Sequence, residues 1–211
     1  MIRLLSIAFV LVSAHPAEHL QSARDMQHAI ADGRLLKARE LAEWFAHHPL
    51  AEPIRGAALR IAKAPDVATA GGELGDFGKA CAACHVASNA KVTFTYGPPP
   101  RELDDSVAAQ MERHQWGATR LWEGLIGPSE NEWLEGATVL AVNKIDVSKM
   151  ARGKPNAGVV ALGQRLQQQA REAQTLRGTN ARAEFYGRMM STCAACHQMV
   201  RPYPVSLDRK D

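Results

Sequence analysis

The chain has 211 residues, 46% of them hydrophobic and 22% charged, which are the proportions of a soluble globular protein with room for one or two cores. Its 25 basic residues against 22 acidic ones leave a net charge of +3, which excludes a strongly basic nucleic-acid binder. Sixteen glycines and 11 prolines in no regular period exclude a fibrous repeat, and the composition carries no signature of wholesale disorder.

Residues 1–14 read as a signal peptide. Arg3 supplies a positive charge, Leu4 to Val12 is an apolar run interrupted only by Ser6, and Val12-Ser13-Ala14 offers small residues for cleavage. Ala17 provides a second cleavage point. The run falls well short of the roughly 20 apolar residues that span a bilayer, and no later segment is longer. The expected mature chain is exported to the periplasm and is not integral to the membrane.

Every predicted element after that is a helix. His19, Ala23, Met26 and Ile30 step by fours and threes along a first one. Gly33 and Leu35 open a second, which carries Ala38, Ala42 and Phe45 and closes at His48-Pro49. Ile54 to Ala62 suggests a third, and Pro65-Asp66 starts a fourth whose Leu74 and Phe77 lead into Cys81. Residues 91–101, with Gly97-Pro98-Pro99-Pro100 at their end, read as a linker. The plan then repeats. Leu103, Val107, Met111, His114, Ala118, Leu121 and Leu125 form an apolar seam with one histidine in it. Ser129 and Glu132 spell a capping box that opens the next helix, through Trp133, Ala137 and Leu140. After a loop around residues 143–156, Val159, Leu162, Leu166, Ala170 and Ala173 make a third seam, stopped by Gly178. The last helix runs through Phe185, Tyr186 and Met189 into Cys193. No stretch alternates like a strand. The predicted fold class is all-α, as two tandem four-helix bundles over residues 15–90 and 102–211.

The cysteines identify the chemistry. Cys81-Ala82-Ala83-Cys84-His85 and Cys193-Ala194-Ala195-Cys196-His197 are one pentapeptide used twice, 112 residues apart. C-x-x-C-H is the attachment signal for c-type haem: two thiols one helical turn apart reach two vinyl groups of a porphyrin, and the next residue turns its imidazole to the iron. Three other readings fit less well. A thioredoxin-like pair occurs once per domain, a zinc site built from both pairs leaves the two histidines unexplained, and cysteines three apart on a helix bridge poorly. The expectation is two covalent haem c groups on Cys81, Cys84, Cys193 and Cys196, with His85 and His197 as axial ligands.

Only 14 residues follow His197, so the sixth ligand of that iron is expected upstream of the motif. In an up-down-up-down bundle the start of the first helix and the end of the fourth share one end. His19 and His114 stand at the same repeat position there and are the candidate distal ligands. Met111, one turn before His114, competes at the second haem, but its counterpart in the first half is Pro16. A five-coordinate iron is the other alternative, with each histidine satisfied by a backbone carbonyl instead. Met26 and His28 lie too deep to serve, and His47-His48 looks like a solvated helix end. Trp44, Trp116, Trp122 and Trp133 read as core and rim aromatics.

With these motifs, the stretches from Met111 to Trp116 (MERHQW) and from Arg120 to Ser129 (RLWEGLIGPS) resemble the class II c-type cytochromes, the cytochrome c-prime type of bundle, in a tandem di-haem arrangement. The resemblance implies export, haem attachment after export, and electron transfer or small-ligand binding. In that family a basic residue often follows the proximal histidine by four; Arg201 matches, and Asn89 departs. The expected function is one-electron transfer between periplasmic redox partner proteins, without catalysis and without nucleic acid. Binding of nitric oxide or carbon monoxide at an open iron is the alternative, and a di-haem peroxidase, for which the chain is short, comes third. Pairing of two chains into a homodimer stays open.

Overall fold

The computed structural model describes residues 16–95, 97–100, 106–143, 146 and 156–200; the expected signal peptide, Leu103 and Arg201 lie outside them. All regular elements among the described residues are α-helices. They are α1 (Pro16–Ala31), α2 (Leu35–His47), α3 (Glu52–Ala62), α4 (Val67–Ala87), α5 (Val107–Ile126), α6 (Glu130–Val142), α7 (Ala157–Ala173) and α8 (Thr179–Val200).

Local chemistry sets their ends. The side chains of Asp66, Ser106 and Asn156 accept the backbone N–H groups of Thr69, Ala109 and Gly158 at 2.7, 3.2 and 2.8 Å, capping α4, α5 and α7. Ser106→Ala should lower stability by about 1 kcal/mol, read as a shift in the urea midpoint. Gly33, with φ +77°, turns the chain out of α1 while Arg34 N–H closes on the Ala29 carbonyl at 2.8 Å. Asn89 does the same for α4, with φ +52° and Ala90 N–H on the His85 carbonyl at 2.9 Å. Asn89, four residues past His85, therefore serves the helix stop. The Ser129–Glu132 capping box does not form: Ser129 precedes α6 but its side chain caps nothing, and Glu132 lies 3.5 Å from the Arg120 guanidinium. A full positive charge draws that carboxylate more strongly than a backbone N–H does.

Helices pack in chain order within each half, with α1 also against α4 and α5 also against α8. The most extensive pairing, however, joins the halves: α4 lies along α8, and one hydrophobic cluster runs from Ala23 to Ala194 through both. Glycines allow that approach. A Cβ on Gly71 would sit 2.9 Å from the Ser191 nitrogen, and one on Gly187 would sit 2.8 Å from the Gly72 oxygen. Ser191 Oγ also donates to the Ala68 carbonyl at 2.7 Å. Since Gly71 faces Ser191 and Gly75 faces Gly187, the two helices run antiparallel.

Contacts between the halves recur in exchanged pairs. Arg24 pairs with Glu123, and His28 Nε2 lies 3.4 Å from Thr119 Oγ1; a shift of 95 residues converts Arg24 to Thr119 and His28 to Glu123. The repeat is thus folded about an approximate two-fold axis. Its innermost helix is α5, buried almost all round from Arg113 to Ile126. The Pro-rich segment lies along α5 and is no free spacer: Trp116 Nε1 donates to the Gly97 carbonyl at 3.0 Å, and Phe94 packs on Gly127.

Candidate functional site

Each C-x-x-C-H pentapeptide occupies the last turns of a helix, the first on α4 and the second on α8. Helical geometry puts Cys81 and Cys84 on one face, a turn apart, with His85 rotated about 100° from Cys84. Cys193, Cys196 and His197 repeat the arrangement. No disulfide joins the four cysteines; each is half-buried, and Cys81, Cys84 and Cys193 pack against the core. Burial, reinforced by the neighbouring Cys84, pushes the Cys81 thiol up to about 12; burial and Cys196 do the same to Cys193.

The two motifs lie far apart. From the crossing at Gly75 and Gly187, Cys84 and Cys196 are each nine residues onward, in opposite directions. At 1.5 Å per residue that separates them by about 27 Å along the helix axes. No single ion can be held by both pairs, so the shared zinc site falls. Among the described residues, no group of three or more His, Cys, Asp and Glu side chains is gathered to hold a bare ion.

Both motif histidines face groups of the other half. His85 Nδ1 lies 2.7 Å from the Ile126 carbonyl oxygen at the end of α5. A carbonyl only accepts, so Nδ1 carries the proton and Nε2 is left as the donor atom for a metal. His197 Nδ1 lies 3.6 Å from Asp32 Oδ1, just beyond the end of α1. Arg34 Nη2 holds the other oxygen of Asp32 at 3.2 Å. Two thiols on one turn, followed by an imidazole oriented through Nδ1, form a donor set that fits haem c.

His114 stands at the end of the molecule where His197 lies. It is buried, its Nε2 donates to the Asn143 carbonyl at 3.2 Å, and Asn143 is fixed by Arg113 Nε at 2.9 Å and by the Gln110 carbonyl at 3.0 Å. Burial, together with nearby His197 and Arg113, lowers its imidazole to about 4 against the opposing pull of the Asn143 carbonyl. His19 is half-buried and rests against the end of α2, with ring centroids 5.5 Å from Trp44 and 6.1 Å from His48. Partial burial and His48 lower its pKa, and Glu18 raises it. Phe45, 4.9 Å from Phe77, connects this cluster to the turn before Cys81. His28 sits beside Thr119 in the middle of the molecule, as its depth along α1 implied.

The expectation of a solvated His47-His48 end holds for one residue only. His47 is exposed, but His48 is half-buried, with Nδ1 on the Trp44 carbonyl at 2.8 Å and its ring 3.5 Å from the indole. The last turn of α2 folds His48 back over Trp44, and apolar periodicity gave no hint of it. Sequence reasoning also passed over Asp32 and the Ile126 carbonyl. Both belong to the opposite half, so no spacing within a motif reveals them. Comparison of the chain with protein-family models, with curated proteins and with solved structures found no match.

Proposed function

We propose that this chain is an exported di-haem c-type cytochrome, folded as two tandem four-helix bundles, that passes single electrons between periplasmic proteins. The observation that carries the reading is His85: it follows two unbridged cysteines on one helical turn, and its Nδ1 is tied to the Ile126 carbonyl, which leaves Nε2 for iron. In this proposal Cys81 and Cys84 hold the first haem, Cys193 and Cys196 the second, and His85 and His197 are the proximal ligands. The haem supplies the one-electron chemistry when bound. The chain's part is to fix the imidazoles through Ile126 and Asp32 and to present an apolar rim. Exposed Val86 and Met199, one and two residues past the histidines, offer that rim to a partner. His19 and His114 are proposed as the distal ligands, closing both irons.

A second reading, an open iron that binds nitric oxide or carbon monoxide, draws on a specific contact: His114 Nε2 is already committed to the Asn143 carbonyl. Visible spectra of the oxidised and reduced protein, with and without carbon monoxide, separate the two. The carrier should be low-spin when ferric and indifferent to the gas. High-spin ferric haem that takes up carbon monoxide would favour the gas-binding reading, and a protein without haem bands would remove both.

A further inference from the structure

We propose that Asp32 is a positioning residue for the second iron: from the opposite half of the molecule it orients His197 and lowers the midpoint potential of that haem relative to the first. The inference rests on the di-haem reading. Its basis is a difference between two sites that are otherwise repeats of one another. The 95-residue shift that converts His19 to His114 converts Asp32 to Gly127, which has no side chain. His85 accordingly takes the nearest backbone group, the Ile126 carbonyl at 2.7 Å, whereas His197 faces a carboxylate at 3.6 Å.

These partners differ electrically. A carbonyl is a dipole that fixes the imidazole and draws modestly on its proton. A carboxylate carries a full charge, draws harder on the Nδ1 proton and makes the opposite nitrogen a more basic ligand. A more basic ligand stabilises ferric over ferrous iron, which lowers the potential. At 3.6 Å the pair is slightly beyond hydrogen-bond length, within reach of the carboxylate's charge, and each side chain is about a third exposed. The approach is built into the backbone. The left-handed Gly33 ends α1 directly after Asp32, and a Cβ on Gly33 would meet Gln198 Cγ at 3.0 Å, so this turn lies against the residue that follows His197. Arg34 Nη2 holds the other carboxylate oxygen at 3.2 Å, and because both side chains are about a third exposed, water weakens that pairing without removing the charge of Asp32.

Redox titration of the full haem-loaded chain tests the proposal. The unmodified protein should show two separate waves, and Cys193→Ser/Cys196→Ser, which keeps the first haem alone, should lack the lower one. Asp32→Asn, which keeps the shape and removes the charge, should move the lower wave upward and leave the other in place. Asp32→Glu, which keeps the charge, should restore it. Unmoved waves in Asp32→Asn, equal movement of both, or a glutamate variant that behaves like asparagine would overturn the role of Asp32 while two haems remain. An unmodified protein lacking two haems would instead remove the di-haem reading beneath it.

Discussion

Glu123→Ala should destabilise the protein by about 3 kcal/mol or more, the scale of breaking a buried ion pair. Glu123 has no exposed surface, and its two oxygens serve two guanidiniums: Arg24 on α1 faces one, and Arg120 Nη1 reaches the other at 2.6 Å. Arg120 is almost as deeply buried and keeps Glu135 at 2.7 Å when Glu123 is removed. Arg24 loses the carboxylate that faces it across the boundary between the halves. Because that pair bridges the halves, the loss should appear as one earlier transition of the whole molecule rather than the melting of one half. Urea unfolding followed by helical signal checks this, and a loss below about 1 kcal/mol would show the network to be dispensable.

A comparable loss is expected from Gly75→Ala, about 3 kcal/mol, at the upper end of ordinary overpacking. An added Cβ would collide with the Ala183 carbonyl oxygen and lie 3.2 Å from the Gly187 nitrogen. Both obstacles are helix backbone, so no side chain can rotate out of the way, and α4 must lift off α8. Gly72 is the internal control. It is exposed, and a Cβ there meets nothing within 4 Å, so Gly72→Ala should gain about 0.5–1 kcal/mol through helix propensity alone. Thermal melts of the two variants should therefore move in opposite directions. Equal melts would mean that the α4–α8 crossing is wider than the glycines allow.

Helix positions were legible because burial here follows the 3.6-residue period. Met26, Ile30, Ala38, Ala42, Leu121, Leu125, Leu166 and Ala170 are all buried as their spacing required. The relation between the halves was not legible. Gly71, Gly75 and Gly78 look in sequence like weak points of a helix, and only the approach of α8 and α5 gives them a use. The same holds for Glu123, whose partner Arg24 lies 99 residues away. The polar face that would ordinarily mark the solvent side of α5 is here turned toward α1 and α6. The C-x-x-C-H pentapeptides are read directly from the sequence, each confined to five residues of one helix. The groups that face Nδ1 of His85 and of His197, the Ile126 carbonyl and Asp32, come from the opposite repeat, and a motif carries no record of them.

The central claim is that the four thiols carry two haems, and denaturing mass spectrometry of the chain from a host competent in haem attachment tests it most directly. Thioether bonds survive denaturation, so the expected mass is that of the polypeptide plus two haems, falling to one in Cys193→Ser/Cys196→Ser. Bare polypeptide, or a single haem on the unmodified chain, would contradict the account.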